Sequence, residues 1–393
     1  MPPAPPNVVL IVADDLGPGD LGVLGSRAVR TPHLDALARH GRRFTAAYAA
    51  AATDTPSRAG LLTGRYGARL GLPHSLGRGA DAGLGPGAVT IASALRAAGY
   101  ATACVGQWRL GDRPQDHPLR HGFGRFHGTM YGTDVSPLPL VEGHEVVKDD
   151  FDVSGGIAHF TAKAREFVAE RREQPFFLYL SYLDPHVPYR PDPAFAGRSA
   201  AGAYGDVVEC LDHHVGALLG ELDRNGLRGS TLVIFTSDNG PRYEGATQRR
   251  RGRKPEVYDG GVRVPFLIRG PGRVRPGADH EPMSLVDVPA TLAALCSAPM
   301  RDLDGYDLSP RLAGHDAGRP PVYLFFGPHL NAARHGRWKL HVRFSSDRTA
   351  YMPQLFDVAA DPGETCDVSS RHADVAERMR TGLEEFARTV EAS

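Results

Sequence analysis

Two acidic pairs stand out for the chemistry they could do. Asp14-Asp15 comes after the apolar, β-branched run 8–13, and Asp238-Asn239 after the run 232–236. In an open α/β sheet, ligands bind beyond the carboxyl ends of the strands. Hard oxygen donors gathered there favour Ca²⁺ or Mg²⁺. Either pair alone reads as an ordinary turn. Both at strand ends point to one cation site made of Asp14, Asp15, Asp238 and Asn239. A third stretch, 53–65, reads Thr-Asp-Thr-Pro-Ser-Arg-Ala-Gly-Leu-Leu-Thr-Gly-Arg. Pro56 suits a first helical position, with Thr55 or Asp54 as the cap, and Gly64 ends the helix. A helix start offers free N–H groups and partial positive charge, so it suits an oxyanion. Arg58, on the first turn, adds a fixed fork of donors.

These groups need a sheet to bring them together. Thr31-Pro32 opens a helix carrying Leu34, Leu37 and Ala38, closed by Gly41. Residues 91–98 form a second helix, stopped at Gly99, which feeds a strand over 100–105. An amphipathic helix over 157–172 leads into a buried strand over 176–182. The 204–224 segment repeats apolar residues at helical spacing, a further strand is expected over 264–268, and Asp287 caps a helix over 288–295. Strands alternating with helices predict an α/β fold: a large, mainly parallel sheet sandwiched by helices. Residues 106–156 and 240–262, rich in Gly, Pro, His and charge, are expected to be loops over the sheet edge. From about residue 319 the texture changes to short strands (322–326, 337–343, 354–358) and one long polar-faced helix (373–390). The expected organisation is a catalytic domain over 1–318 and a small C-terminal α+β domain over 319–393.

Composition narrows the function. A chain of 393 residues is long for one core, so a large and a smaller domain are natural. Lys+Arg and Asp+Glu both number 45, and this zero balance argues against a nucleic-acid or membrane-surface partner. Four cysteines without C-x-x-C spacing indicate neither a disulfide framework nor a thiolate zinc site. The start, Met-Pro-Pro-Ala-Pro-Pro, lacks a charged secretory n-region, and no apolar run reaches membrane length, so a cytoplasmic location is expected.

The 53–65 stretch resembles the signature of the sulfatase family, C/S-x-P-S-R and then L-T-G-R. Pro56, Ser57, Arg58, Leu62, Thr63, Gly64 and Arg65 match as they stand. The likeness extends along nearly the whole chain. Asp14-Asp15-Leu16-Gly17 with Gly19-Asp20 is similar to the family's first metal segment, and residues 31–35 and 41–44 to the family's next segment. Asp184-Pro185-His186 resembles its P-H-x-P stretch, and residues 236–240 its second metal segment. Lys254, four residues before Tyr258 and Asp259-Gly260-Gly261-Val262-Arg263, falls where the family has an active-site lysine. Leu355-Phe356-Asp357-Val358 and Asp361-Pro362-Gly363-Glu364 resemble its small C-terminal domain. The resemblance implies an alkaline-phosphatase-like fold, one divalent ion (Ca²⁺ foremost, Mg²⁺ or Mn²⁺ otherwise) and an anionic small-molecule substrate. It also implies that His186 and Lys254 stabilise the anion and help the leaving group.

The departures cluster. Where the family carries the residue oxidised to formylglycine, this chain has Asp54, which cannot become that aldehyde, so no formylglycine is expected. Where the family reads G-K-W-H, this chain reads Gly106-Gln107-Trp108-Arg109. The metal side is intact while the nucleophile and its neighbours have changed, which reads as a remodelled site. Asp54 beside an anionic substrate costs about 4 kcal/mol at 4 Å and an effective dielectric of 20, so the ion or Arg109 must offset it. The expected function is a metal-dependent hydrolase of a sulfate- or phosphate-type ester, using Asp54, Arg58, Arg109, His186 and Lys254. Asp54 would act as nucleophile, as base or as a further metal ligand, and Arg109 is expected to pair with it through two bonds. The alternatives are non-hydrolytic transfer or elimination, or a metal-holding pseudoenzyme. Thr53 or Thr55 as a nucleophile lies off the matched position.

Overall fold

The computed structural model describes residues 5–170, 173–344 and 350–391. In chain order it begins β1 (Asn7–Ala13), α1 (Pro32–Arg39), β2 (Arg42–Phe44), β3 (Ala47–Tyr48), α2 (Asp54–Thr63), α3 (Ile91–Ala97) and β4 (Ala101–Gln107). It continues with β5 (Arg125–Thr129), β6 (Leu140–Glu142), β7 (Glu145–Lys148), α4 (Gly156–Ala169), β8 (Phe176–Ser181), α5 (Gly202–Arg224) and β9 (Thr231–Ser237). Then come α6 (Asp259–Val262), β10 (Phe266–Arg269), β11 (Gly277–Asp279), β12 (Met283–Ser284), α7 (Asp287–Leu295) and α8 (Ser309–Leu312). Four strands, β13 (Val322–Phe326), β14 (His329–His335), β15 (Trp338–Phe344) and β16 (Ala350–Asp357), precede α9 (Ala373–Glu391).

A ten-stranded sheet runs β11-β2-β10-β9-β1-β8-β4-β5-β6-β7. Its centre, β9-β1-β8-β4-β5, is parallel, with Val9 facing both Leu178 and Val233. β1 explains why that centre reads as continuous apolar sequence. Val8, Leu10 and Val12 enter one hydrophobic core while Val9, Ile11 and Ala13 enter the other, so both faces are covered. Each valine, leucine or isoleucine among them contributes about 1.5–3 kcal/mol by leaving water. The second sheet, β13-β14-β15-β16, is antiparallel, and α9 packs on it.

Several expectations change. β10 is antiparallel to β9 and to β2, so the sheet is mixed at this side. Residues 106–156 are not all loop: β5 extends the parallel centre, and β6 and β7 continue it as a hairpin. β5 reads Arg-Phe-His-Gly-Thr, with no β-branched run to announce it. β14 has no counterpart among the expected strands, and the expected end of the 157–172 helix falls at 171–172, outside the described residues. α2 starts at Asp54, with Thr53 at the cap, so Pro56 is third rather than first in the helix. Gly64 ends it at φ 72°, a left-handed conformation that glycine adopts without strain. Among the described residues, no helix is long and apolar enough to cross a membrane.

Candidate active site

The carboxyl ends of the central strands converge. Asp14 and Asp15 come directly after β1, Asp238 and Asn239 after β9, Asp184 and His186 after β8, and Arg109 after Gln107 at the end of β4. α2 brings Asp54 and Arg58, and the segment before α6 brings Lys254. All of these residues are buried or nearly so. Asp15 and Arg109 hold φ of 67° and 65°, strained values for non-glycine residues that position their side chains.

Four buried oxygens on these residues have no hydrogen-bond partner among the described residues: Asp14 Oδ1, Asp15 Oδ2, Asn239 Oδ1 and Gln107 Oε1. Ligand atoms of Asp14, Asp15 and His186 lie within 4.8 Å of one another. Asn239 donates its Nδ2 to Asp15 Oδ1 (2.7 Å) and to the Gly240 carbonyl (2.8 Å), which leaves its oxygen free for a cation. His186 Nδ1 lies 2.7 Å from the Val187 carbonyl and 2.9 Å from Thr133 Oγ1. A carbonyl only accepts, so Nδ1 carries a proton, and Nε2 is turned toward Asp15, 3.9 Å from its Oδ2. Burial and the neighbouring Asp14 push Asp238 up to about 7, while burial raises Asp15 against the pull of Lys254. Carboxylates crowded this way are a donor set that suits a divalent ion. Asp14, Asp15, Asn239 and His186 therefore fit one.

Asp238 and Asp54, both expected among the ligands, stand outside that three-residue cluster. Asp238 Oδ1 accepts from the Asn239 N–H (2.8 Å) and the Asp15 N–H (3.2 Å), and its Oδ2 accepts from Arg58 Nε (2.9 Å). Arg58 is expected from its place on the helix to face the reacting anion. It is instead wholly buried behind the carboxylates, reaching Asp238, Asp14 Oδ2 (3.3 Å) and Ser181. There it ties the carboxylates of Asp14 and Asp238 to the end of β8. Gln107 donates to Asp14 Oδ2 (2.5 Å) and to the Tyr182 carbonyl (2.8 Å), a neutral donor on a metal-side carboxylate.

Asp54 lies against Arg109, Nη2 to Oδ2 at 3.1 Å, with the two side chains 3% and 2% exposed. The expected two-bond grip goes elsewhere: Asp134 takes the fork, at 2.8 Å from Nη2 and 3.2 Å from Nη1. Asp54 Oδ1 accepts from the Thr55 N–H (2.8 Å) and from Ser75 Oγ. Burial alone would raise the Asp54 carboxyl, but Arg109 and then Lys254 outweigh it and hold it below its ordinary value. Thr55 Oγ1 donates to the Arg109 carbonyl (2.9 Å) and accepts from the Leu76 N–H (3.1 Å), so it is a tie rather than a nucleophile. Ser75, Gly132, Thr133 and Asp134 escaped sequence reading. They sit in short polar loops, three of them behind the unrecognised β5.

Lys254 Nζ reaches Asp15 Oδ1 at 2.6 Å, and this contact keeps the amine protonated against the effect of burial. The C-terminal sheet holds the segment that carries it. Lys339 on β15 donates to the Val257 carbonyl and to Asp259 Oδ1, both at 2.8 Å, and pairs with Glu364 at 3.0 Å. Glu364 accepts from the Asp259 N–H (2.7 Å) and lies 2.8 Å from His341 Nε2.

Residues 6–298 match the family model described as sulfatase. Human arylsulfatase A is 38% identical over 92% of this chain and 82% of its own length. Rat steryl-sulfatase is 33% identical over 98% and 89%. The N-acetylgalactosamine-6-O-sulfatase of Bacteroides thetaiotaomicron is 32% identical over 96% and 92%. A solved Bacteroides thetaiotaomicron structure, described under metabolism of multiple glycosaminoglycans, superposes with a TM-score of 0.90 at 30% identity. It covers 98% of this chain and 100% of its own. The phosphonate monoester hydrolase of Agrobacterium radiobacter shares the fold, with a TM-score of 0.68 at 22% identity over 98% and 95%.

Proposed function

This chain belongs to the sulfatase family and is a hydrolase of that family, and on that premise we propose that it cleaves an anionic sulfate- or phosphate-type ester with Asp54 as nucleophile. The carrying observation is the 3.1 Å contact between Asp54 and Arg109, which keeps the carboxylate ionised. A carboxylate held below its ordinary pKa is a poor proton acceptor at neutral pH but remains available for attack. Nucleophile therefore fits better than general base. An Asp54 oxygen forms a bond to sulfur or phosphorus as the bond to the ester oxygen breaks. The electron pair leaves on that oxygen, which takes a proton from solvent. Water then cleaves the mixed anhydride, restoring the carboxylate and releasing sulfate or phosphate.

Asp14, Asp15, Asn239 and His186 would hold the ion. Three oxygen donors favour Ca²⁺ or Mg²⁺, and an imidazole nitrogen admits Mn²⁺. When bound, the ion supplies Lewis-acid polarisation of the ester's oxyanion. Lys254 adds fixed positive charge beside it. Charge counting supports a monoanionic substrate over a dianionic one. Five carboxylates (Asp14, Asp15, Asp54, Asp134, Asp238) meet three cations (Arg58, Arg109, Lys254), and a divalent ion offsets the remaining two.

A second reading, a metal-holding binding protein, draws on one observation: both Asp54 oxygens already have partners. Single turnover of 4-nitrophenyl sulfate and phosphate by metal-loaded protein, acid-quenched and then reduced with borohydride, separates the readings. Reduction of the Asp54 side chain to its alcohol, which only a mixed anhydride undergoes, is the expected result. Turnover with no adduct at Asp54 would mean direct attack by water. No turnover of either ester, with metal bound, would favour the binding protein.

A further inference from the structure

Arg109 reaches Asp54 only because of two residues on the loop after β5. A Cβ placed on Gly132 would meet Arg109 Nε at 2.7 Å, with Cζ and Nη2 nearer still. Gly132 is not among the positive-φ glycines, so its backbone does not require glycine. The guanidinium requires the room. The Arg109 backbone is held in place, its N–H donating to the Met130 carbonyl (3.1 Å) and its carbonyl accepting from Thr55 Oγ1 (2.9 Å), so room for a Cβ would come from the guanidinium moving away from Asp54. Asp134 supplies the other half of the seat. Its half-exposed carboxylate closes on Nη1 and Nη2 and fixes the plane of the fork, so that Nη2 also faces Asp54.

We propose that Gly132 and Asp134 are positioning residues for the Asp54 carboxylate, a bare backbone floor and a carboxylate fork that seat Arg109 against it. The seat stands on geometry alone; its catalytic consequence rests on the reading of Asp54 as the reacting group. An arginine at this point of the chain is workable only with both. Any side chain at 132 would lift the guanidinium off the floor. Without Asp134, a long, flexible side chain must find Asp54 unaided, at a cost in rotamer freedom.

The test is a set of double-mutant cycles on the metal-loaded full chain, read first as melting temperature. Asp54→Asn and Arg109→Gln should be strongly non-additive in the natural background, and that coupling should vanish with Gly132→Ala and fall sharply with Asp134→Asn. Gly132→Ala should lower the melting temperature beside Arg109 but have little effect beside Arg109→Ala, an interaction that generic packing damage would not give. Asp134→Asn lies on a half-exposed side chain and keeps the test open if Gly132→Ala does not fold. Full 54–109 coupling in both loop variants overturns the proposal. In kinetics with 4-nitrophenyl esters, Gly132→Ala should lower kcat as Arg109→Gln does, without adding to it, and leave KM nearly unchanged. Lost coupling with unchanged kcat would uphold the seat and overturn Asp54 as the reacting group.

Discussion

Replacing Arg109 with glutamine removes the strongest partner of a buried carboxylate while leaving the side chain polar. At 3.1 Å and an effective dielectric of 20, the Coulomb attraction between the two is about 5 kcal/mol. Both side chains are almost fully buried, so salt screens the pair weakly, and breaking one side should destabilise the fold by roughly 3–5 kcal/mol. The pH dependence has a definite sign. Burial raises the Asp54 carboxyl and Arg109 with Lys254 lowers it further, so its folded pKa lies below the unfolded one. That difference stabilises the protein above the unfolded value of about 3.9 and is lost as pH falls through the folded value. Without Arg109, burial should dominate and the folded pKa should rise above the unfolded value. The variant should then be most penalised near neutral pH and recover as pH falls and Asp54 takes a proton. Urea unfolding at about pH 8 and about pH 5 reads this as a gap between natural and variant protein that narrows on acidification. Adding Asp54→Asn should restore much of the loss at neutral pH. An equal gap at both pH values, with no rescue by Asp54→Asn, would refute the electrostatic account.

The same site supports other expected outcomes. Elemental analysis should find close to one divalent ion per chain, and a free ion at about 100 times its Kd should stabilise the fold by about 2.7 kcal/mol over the chelated protein. Isothermal titration with Mn²⁺ should show that His186→Ala weakens binding; unchanged affinity would remove His186 from the ligand set. Asp54→Cys, made with formylglycine-generating enzyme, should fall short of full arylsulfatase turnover, because Gln107 and Arg109 remain; full turnover would show that neither residue matters. Lys339→Met leaves Asp259 and Glu364 buried without their shared cation, so a loss of roughly 3–5 kcal/mol is expected. Lys339→Arg should recover part of it, and a melting temperature unchanged in Lys339→Met would count against the C-terminal sheet as the support of the Lys254 segment.

Much of this protein is legible in its sequence because the signals are local. A strand covered on both faces must be apolar at every position, so β1, β8 and β9 announce themselves, and the acidic pairs after β1 and β9 can be placed from chain order alone. The helix over 54–63 carries its own stop at Gly64, and the Pro-Ser-Arg stretch within it is visible without coordinates. What sequence could not decide is which partner each charged group chooses, since that depends on segments distant in the chain. Arg58 looks like a substrate ligand on its helix, yet Asp14 and Asp238, 44 and 180 residues away, take its fork. The charge swap at 54 and 109 predicts a two-bond grip between them, but Asp134 on an unheralded loop claims the fork, and only a missing Cβ at Gly132 leaves space for the contact that remains. The tail motif ending in Glu364 matters through Asp259, 105 residues earlier. Burial makes each of these choices strong, because an unpaired charge inside the fold is costly, and only the packed tertiary structure determines which charges meet there.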